Sequence, residues 1–196
     1  MVDTGAGNIG AVLAAFARLE APVELMRDPH AVASASRLVL PGVGAAGPVM
    51  RSLRDGALVE ALRASRAPLL GICVGMQLLF ERSEEGDVET LGLLPGQVRR
   101  LLPAPGVRIP HMGWNRLQRQ ADSPLLDGID DGAQAYFVHS YGIDGAHPDC
   151  VAACGHGQSV AAIVQHGHRA GVQFHPERSA ATGARLLRNF LQWNPA

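Results

Sequence analysis

The amino-acid sequence predicts an α/β fold: an open mixed, mostly parallel sheet flanked by helices, in one domain spanning residues 1–196. Three observations lead there. Short apolar runs such as residues 37–40 and 69–72 read as strands buried on both faces, the pattern of a covered parallel sheet. Segments with helical apolar spacing alternate with them. A chain of 196 residues with 47% hydrophobic content can bury a sizeable core.

In chain order, Ile9, Val12, Leu13, Phe16 and Leu19 predict an amphipathic helix over residues 8–20. Residues 23–26 form a strand candidate. Asp28 before Pro29 predicts an N-cap with proline at the first helical position, opening a short helix. Residues 37–40 predict a strand stopped by Pro41-Gly42. Met50, Leu53, Leu58 and Leu62 predict a helix interrupted near Gly56, and residues 69–72 a further strand. Met76, Leu79 and Phe80 continue it as a helix. The second half is richer in strands: residues 134–141, 160–164 and 169–174 have no long helix between them. Leu186, Leu187, Phe190 and Leu191 predict a closing helix, and residues 102–110 a loop. No internal repeat and no low-complexity linker divides the chain.

Composition excludes several functions. With 17 Lys+Arg against 18 Asp+Glu, the net charge of -1 gives no electrostatic reason to bind nucleic acid or an anionic membrane. No apolar run approaches the roughly 20 residues of a membrane span. The first residues carry neither a basic stretch nor a signal-peptide core. Cys73, Cys150 and Cys154 make an odd number and no disulfide framework. The expectation is a reduced, soluble, cytoplasmic protein.

The stretch GICVGMQ, residues 71–77, places Cys73 between two glycines where a strand gives way to a helix. That is the layout of a nucleophile elbow, in which small neighbours let strand and helix approach closely. A helix N-terminus would favour the thiolate, and the Val74 amide would face a nearby oxyanion. A buried cysteine packing as a small hydrophobe is the plainer alternative. A thiolate needs a base and an orienting group. His175 and Glu177, flanking Pro176, would fall on the same side of an extended segment, about 6–7 Å apart along the chain. The preceding strand would set them at its C-terminal end, where open α/β sheets place ligands. PGVG, residues 41–44, follows another strand and offers backbone donors at Val43 and Gly44.

PGVG, GICVGMQLLF and QFHPERS, in this order and spacing, resemble the triad, class I glutamine amidotransferases. PHMGWN (residues 110–115), YFVHSY (136–141), DTGAGN (3–8) and SEEG (83–86) are similar to the glutaminase subunits of imidazole glycerol phosphate synthases, essentially end to end. The resemblance implies hydrolysis of glutamine to glutamate and ammonia. The ammonia would pass to a (β/α)8-barrel cyclase partner in a heterodimer of histidine biosynthesis, with no cofactor and no metal. It implies Cys73 as nucleophile, His175 as acid and base, and Glu177 as its orienter. Val43, Gly44 and Val74 would serve the oxyanion. Gln77, Glu85 and the backbone at Ser140 and Tyr141 would hold the amino-acid end of glutamine. Asn8, Trp114, Asn115 and Tyr136 would lie near the partner. In this family the PGVG segment is thought to rearrange when the partner is loaded.

Two departures stand out. The family usually has Tyr-Gly where this chain has Cys154-Gly155, and it carries more apolar residues before the Asp-x-Gly motif, so either the start codon is misassigned or the first sheet strand is nearly absent here. Cys150, Cys154 and His156, with His166 and His168 nearby, match no strong zinc spacing and read as core or loop residues. Two other functions compete: the glutaminase of pyridoxal phosphate synthesis or a γ-glutamyl hydrolase, and a non-catalytic binding module of the same fold. PHMGWN and YFVHSY argue against the first, and the intact Cys73, His175 and Glu177 against the second.

Overall fold

A computed structural model describes residues 1–5 and 8–195. Ala6 and Gly7 of the DTGAGN motif lie outside the described residues. The elements run α1 (Ile9–Ala17), α2 (Pro29–Ser34), β1 (Leu38–Gly42), α3 (Ala46–Asp55), α4 (Leu58–Ala64), β2 (Leu69–Cys73) and α5 (Val74–Gln77). The short strands β3 (Arg82–Ser83), β4 (Val88–Glu89) and β5 (Gln97–Arg100) follow, then β6 (His111–Arg116), β7 (Gln118–Arg119), β8 (Gln134–His139) and β9 (Tyr141–Gly142). The chain closes with β10 (Cys150–Gly155), β11 (Ser159–His166), β12 (Arg169–Val172) and α6 (Ala180–Gln192).

The main sheet has the order β1-β2-β12-β11-β10-β7. Its pairing is parallel across β1, β2 and β12 and antiparallel from β12 outward. The sheet is mixed as expected, but its parallel share stops at β12, because tight turns rather than helices join β10, β11 and β12. One apolar cluster fills the interior, with Phe16, Phe80, Phe137, Phe174 and Phe190 fully buried. Each such ring contributes about 1.5–3 kcal/mol by leaving water.

Several elements form for the reasons read from sequence. Asp28 caps α2 by accepting the Ala31 N–H, as its place before Pro29 predicts, whereas the cap of α1, Asn8 accepting the Ala11 N–H, is seen only in the structure. The helix around Gly56 is broken into α3 and α4, with Ala57 in the left-handed region at φ 54°. Other elements differ. Among the described residues, residues 23–26 make a single bridge, Met26 with Val2, instead of a strand. β1 runs through Pro41 to Gly42 instead of stopping. Leu38 N–H donates toward the β2 side, to Pro68 O, while Val39 O accepts Val2 N–H on the outer side. The missing N–H of Pro41 therefore falls on the outer side, where proline is tolerated.

The helix after Cys73 is one turn only. The carbonyls that would continue it are taken by the segment that follows: Leu91 N–H donates to Leu78 O, Leu93 and Leu94 N–H to Leu79 O, and Gly92 N–H to Phe80 O. Residues 134–141 bend at Ser140, so β8 pairs with β6 while β9 joins β5 in a separate sheet.

Candidate active site

Cys73 ends β2 at φ 54°, ψ -112°. A side-chain-bearing residue adopts such a backbone at a cost of order 1–3 kcal/mol and only where its surroundings impose it. Here close backbone packing imposes it. A Cβ on Gly75 would lie 1.9 Å from the Leu40 carbonyl oxygen, and one on Gly71 would lie 2.5 Å from the Gly75 carbonyl oxygen. β1, β2 and α5 can close on one another only with glycine at both positions. The helix that follows Cys73 has four residues, too few to sum a full macrodipole.

β12 lies parallel to β2 with Val172 opposite Ile72, so the chain leaving β12 runs beside Cys73. His175 Nδ1 is 2.8 Å from Glu177 Oε1, and the ring lies near enough to Cys73 for the two side chains to interact. The two side chains are 7% and 2% exposed. They do not align along an extended segment as anticipated. Pro176–Arg178 forms a 3-10 turn that swings Glu177 back onto the ring. Burial by itself lowers the affinity of His175 for a proton. Hydrogen bonds to Cys73 and Glu177, with the charges of both, outweigh burial and raise the imidazole to about 10. A protonated ring facing the sulfur is the condition that favours a thiolate. Glu177 Oε2 is buried with no partner among the described residues, so the imidazolium is what balances that carboxylate. The turn itself is pinned: His175 N–H donates to Tyr136 O, Ser179 Oγ donates to His175 O, and Tyr136 N–H donates to Ser179 Oγ.

Cys73, His175 and Glu177 open into a cleft of about 420 Å³. Val43, Gly44 and Val74 line it, as do Gln77, Glu85, Ser140 and Tyr141. Gly44 sits at φ 81°, which an L side chain rarely adopts. Glu85 Oε2 accepts the Ala46 N–H at 3.0 Å and so ties down the far end of the loop bearing Val43 and Gly44. Both Nε2 hydrogens of Gln77 are engaged, on Tyr141 O at 2.8 Å and on Gln173 Oε1 at 3.0 Å. Its Oε1, an acceptor, is what it can offer a ligand, and with Glu85 it suits an ammonium group.

Gln173 escaped the reading of the sequence. It is fully buried, and its Nε2 donates to Cys73 Sγ at 3.9 Å. The signal was present: a polar residue in an apolar strand, two positions before His175 and so on the same side of extended backbone. His111 and His139 were also missed.

Of the expected partner-facing residues, Asn8 lines the cleft while capping α1. Trp114 is 51% exposed, and Tyr136 packs edge-on against it at 6.0 Å. The Arg178 guanidinium lies 4.3 Å from the Tyr136 ring centre. Asn115 is half-buried and bonded within the chain. Neighbours on a strand point to opposite faces, so it turns away from Trp114. Its Oδ1 accepts the Arg116 N–H, and its Nδ2 reaches His111 Nε2 and Gly155 O.

Burial pushes the Cys150 and Cys154 thiols up to about 11 and about 12, so both are inert. His156 stacks on His111, and His166 Nδ1 lies 2.9 Å from Asp149. Among the described residues, no group of three or more His, Cys, Asp or Glu could hold a metal ion. Nor is any helix among them long and apolar enough to cross a membrane.

A strained cysteine at a strand end, facing a histidine–glutamate pair across a small polar cleft, defines a class of enzyme as well as a fold. Residues 1–193 match the family model for class-I glutamine amidotransferases, and the chain belongs to that family. It is 57% identical over 192 residues to imidazole glycerol phosphate synthase subunit HisH of Xanthomonas axonopodis pv. citri (strain 306), covering 98% of this chain and 96% of that protein. It is 55% identical over 196 residues to the protein of the same name from Xylella fastidiosa (strain Temecula1 / ATCC 700964), covering 100% and 98%. The fold is shared with a crystal structure of a glutamine amidotransferase, at a TM-score of 0.75 and 21% identity over 97% of this chain and 96% of that one.

Proposed function

We propose that this chain is the glutaminase subunit of imidazole glycerol phosphate synthase, a cytoplasmic enzyme of histidine biosynthesis, and that residues 1–196 act as one amidotransferase domain. The observation that carries the reading is the convergence of Cys73, His175 and Glu177 at the ends of two adjacent parallel strands.

The Cys73 thiolate adds to the carboxamide carbon of glutamine. Amide N–H groups of Val43, Gly44 and Val74 receive the developing oxyanion. His175 gives its proton to the amide nitrogen, the C–N bond breaks, and ammonia leaves a thioester on the sulfur. The neutral imidazole then takes a proton from water, and the hydroxide adds to the thioester carbonyl. The C–S bond breaks, glutamate departs, and the thiolate–imidazolium pair is restored. Glu177 holds the ring in the required tautomer throughout. Glu85 and Gln77 Oε1 take the substrate's ammonium, and the backbone at Ser140 and Tyr141 completes that pocket.

Ammonia passes, without release to bulk water, to a (β/α)8-barrel cyclase subunit docked against Asn8, Trp114 and Tyr136. That partner supplies the lyase half of the reaction. It uses the ammonia on a phosphoribulosyl formimino-carboxamide nucleotide, giving imidazole glycerol phosphate and aminoimidazole carboxamide ribotide. The test is co-purification with a cyclase subunit, followed by a glutaminase assay with and without nucleotide. The chain alone should be slow, and activity should rise strongly with partner and nucleotide. Rapid turnover by the chain alone contradicts the coupling.

A further inference from the structure

Two buried imidazoles lie against the wall of the glutamine cleft, and the mechanism uses neither. His111 Nδ1 is 2.9 Å from His139 Nε2, and His139 Nδ1 is 2.8 Å from the Tyr141 carbonyl oxygen. Asn115 Nδ2 is 3.1 Å from His111 Nε2. The end groups dictate the direction of the chain. A carbonyl oxygen only accepts, so His139 Nδ1 carries the hydrogen and its Nε2 accepts. His111 Nδ1 must then donate, which leaves its Nε2 as acceptor. Asn115 supplies that last donor, because Arg116 N–H holds its Oδ1 and turns its Nδ2 inward. With both rings neutral, every polar atom has a partner of the right kind.

Burial, with the nearby histidines, pushes His111 down to about 3 and His139 to about 4, so both rings are neutral near pH 7. A second proton would set two N–H groups against each other and place a charge near the His175 imidazolium.

The Tyr141 carbonyl accepts a second bond, from Gln77 Nε2 at 2.8 Å, and Gln77 continues to Gln173 and so to Cys73. One carbonyl in the wall of the cleft is thus held from two sides. We propose that His111 and His139 are positioning residues for glutamine: they fix the Tyr141 carbonyl, and through it the Gln77 amide, so that Gln77 Oε1 stays open to the substrate's ammonium. The proposal rests on the glutaminase reading. It also gives Asn115 a place in the cleft's support.

The test uses the heterodimer with the cyclase. His111→Leu removes the donor to His139 and should raise KM for glutamine about five- to tenfold, the size of one lost hydrogen bond, with kcat within about twofold. Synthesis from ammonium salts should not change. In His111→Asn the amide N–H takes the place of the ring's Nδ1–H, and KM should return to within about twofold of the wild type. An unchanged KM in His111→Leu, with only the melting temperature or the active fraction lowered, overturns the proposal in favour of plain packing. If His111→Leu does not assemble, nitrogen-15 NMR of histidine-labelled wild type decides. Both rings should be Nδ1–H tautomers that do not titrate between about pH 6 and 8. An Nε2–H tautomer at His139, or titration of either ring, overturns it. A wild-type heterodimer that fails to hydrolyse glutamine refutes the glutaminase reading instead, and the NMR outcome is independent of that.

Discussion

At Cys73 the backbone is strained, the residue is 4% exposed, and the charged group beside it is one neighbouring ring. Cys73→Ala should lower glutamine-dependent synthesis by the heterodimer at least about a thousandfold. Synthesis from ammonium salts should persist; loss of both would place the defect in assembly. His175 is raised from its ordinary range to about 10, so its pairing with Cys73 and Glu177 contributes stability that is fully present below about pH 6.5. That contribution is lost as pH rises through about 10. Glu177→Gln removes one of the two groups that raise it. The alkaline limb of the kcat/KM profile should then move down toward neutrality, and kcat should fall roughly 10²- to 10⁴-fold. A profile unchanged in shape would show that the carboxylate does not set the ring's charge.

At the scale of elements, the site depends on glycines that let backbone meet backbone. Gly183, in α6 and outside every motif read from sequence, belongs to this group: a Cβ there would lie 1.9 Å from the Pro176 carbonyl oxygen. Gly183→Ala should push the His175–Glu177 turn out of place. The expected cost is about 1–3 kcal/mol, or a fall in melting temperature of roughly 3–10 °C, with a loss of kcat beyond what the fraction folded explains. Gly10→Ala in α1 is the control. A Cβ there meets nothing within 4 Å, so the change should leave activity intact and stabilise by up to about 1 kcal/mol. Equal effects at the two sites, read by thermal melts and initial rates, would count against the packing explanation.

For the whole molecule, a net charge of -1 gives little long-range steering, so docking must rest on shape and apolar contact. Trp114, 51% exposed and braced by Tyr136, is the aromatic best placed for that. Trp114→Ala should weaken binding to the cyclase about 30-fold or more, the loss typical of an aromatic anchor, while leaving the melting temperature of this chain within about 2 °C. Titration calorimetry with the purified partner measures the first and a thermal melt the second.

Much of this was legible in the sequence, and the limits have physical causes. Local signals carried the cap at Asp28, the break at Gly56, and the elbow at Cys73, because each depends on residues within one turn of the chain. The order GICVGMQ before QFHPE pointed to Cys73 and His175, which the fold brings together in one cleft. The length of the helix after Cys73 was not legible, since its carbonyls are taken by residues 91–94 in tertiary contact. Nor was which of Trp114 and Asn115 faces outward, which depends on which face of β6 meets the rest of the fold, or the role of Gly183, whose neighbour is a carbonyl seven residues away. By itself the sequence determined which chemistry the chain carries, because a thiol, an imidazole and a carboxylate in their motifs are properties of side chains. Tertiary structure alone decided their states: the charge on His175, the neutrality of His111 and His139, and the one acceptor that Gln77 leaves open. Those follow from burial and from hydrogen bonds between segments far apart in the chain.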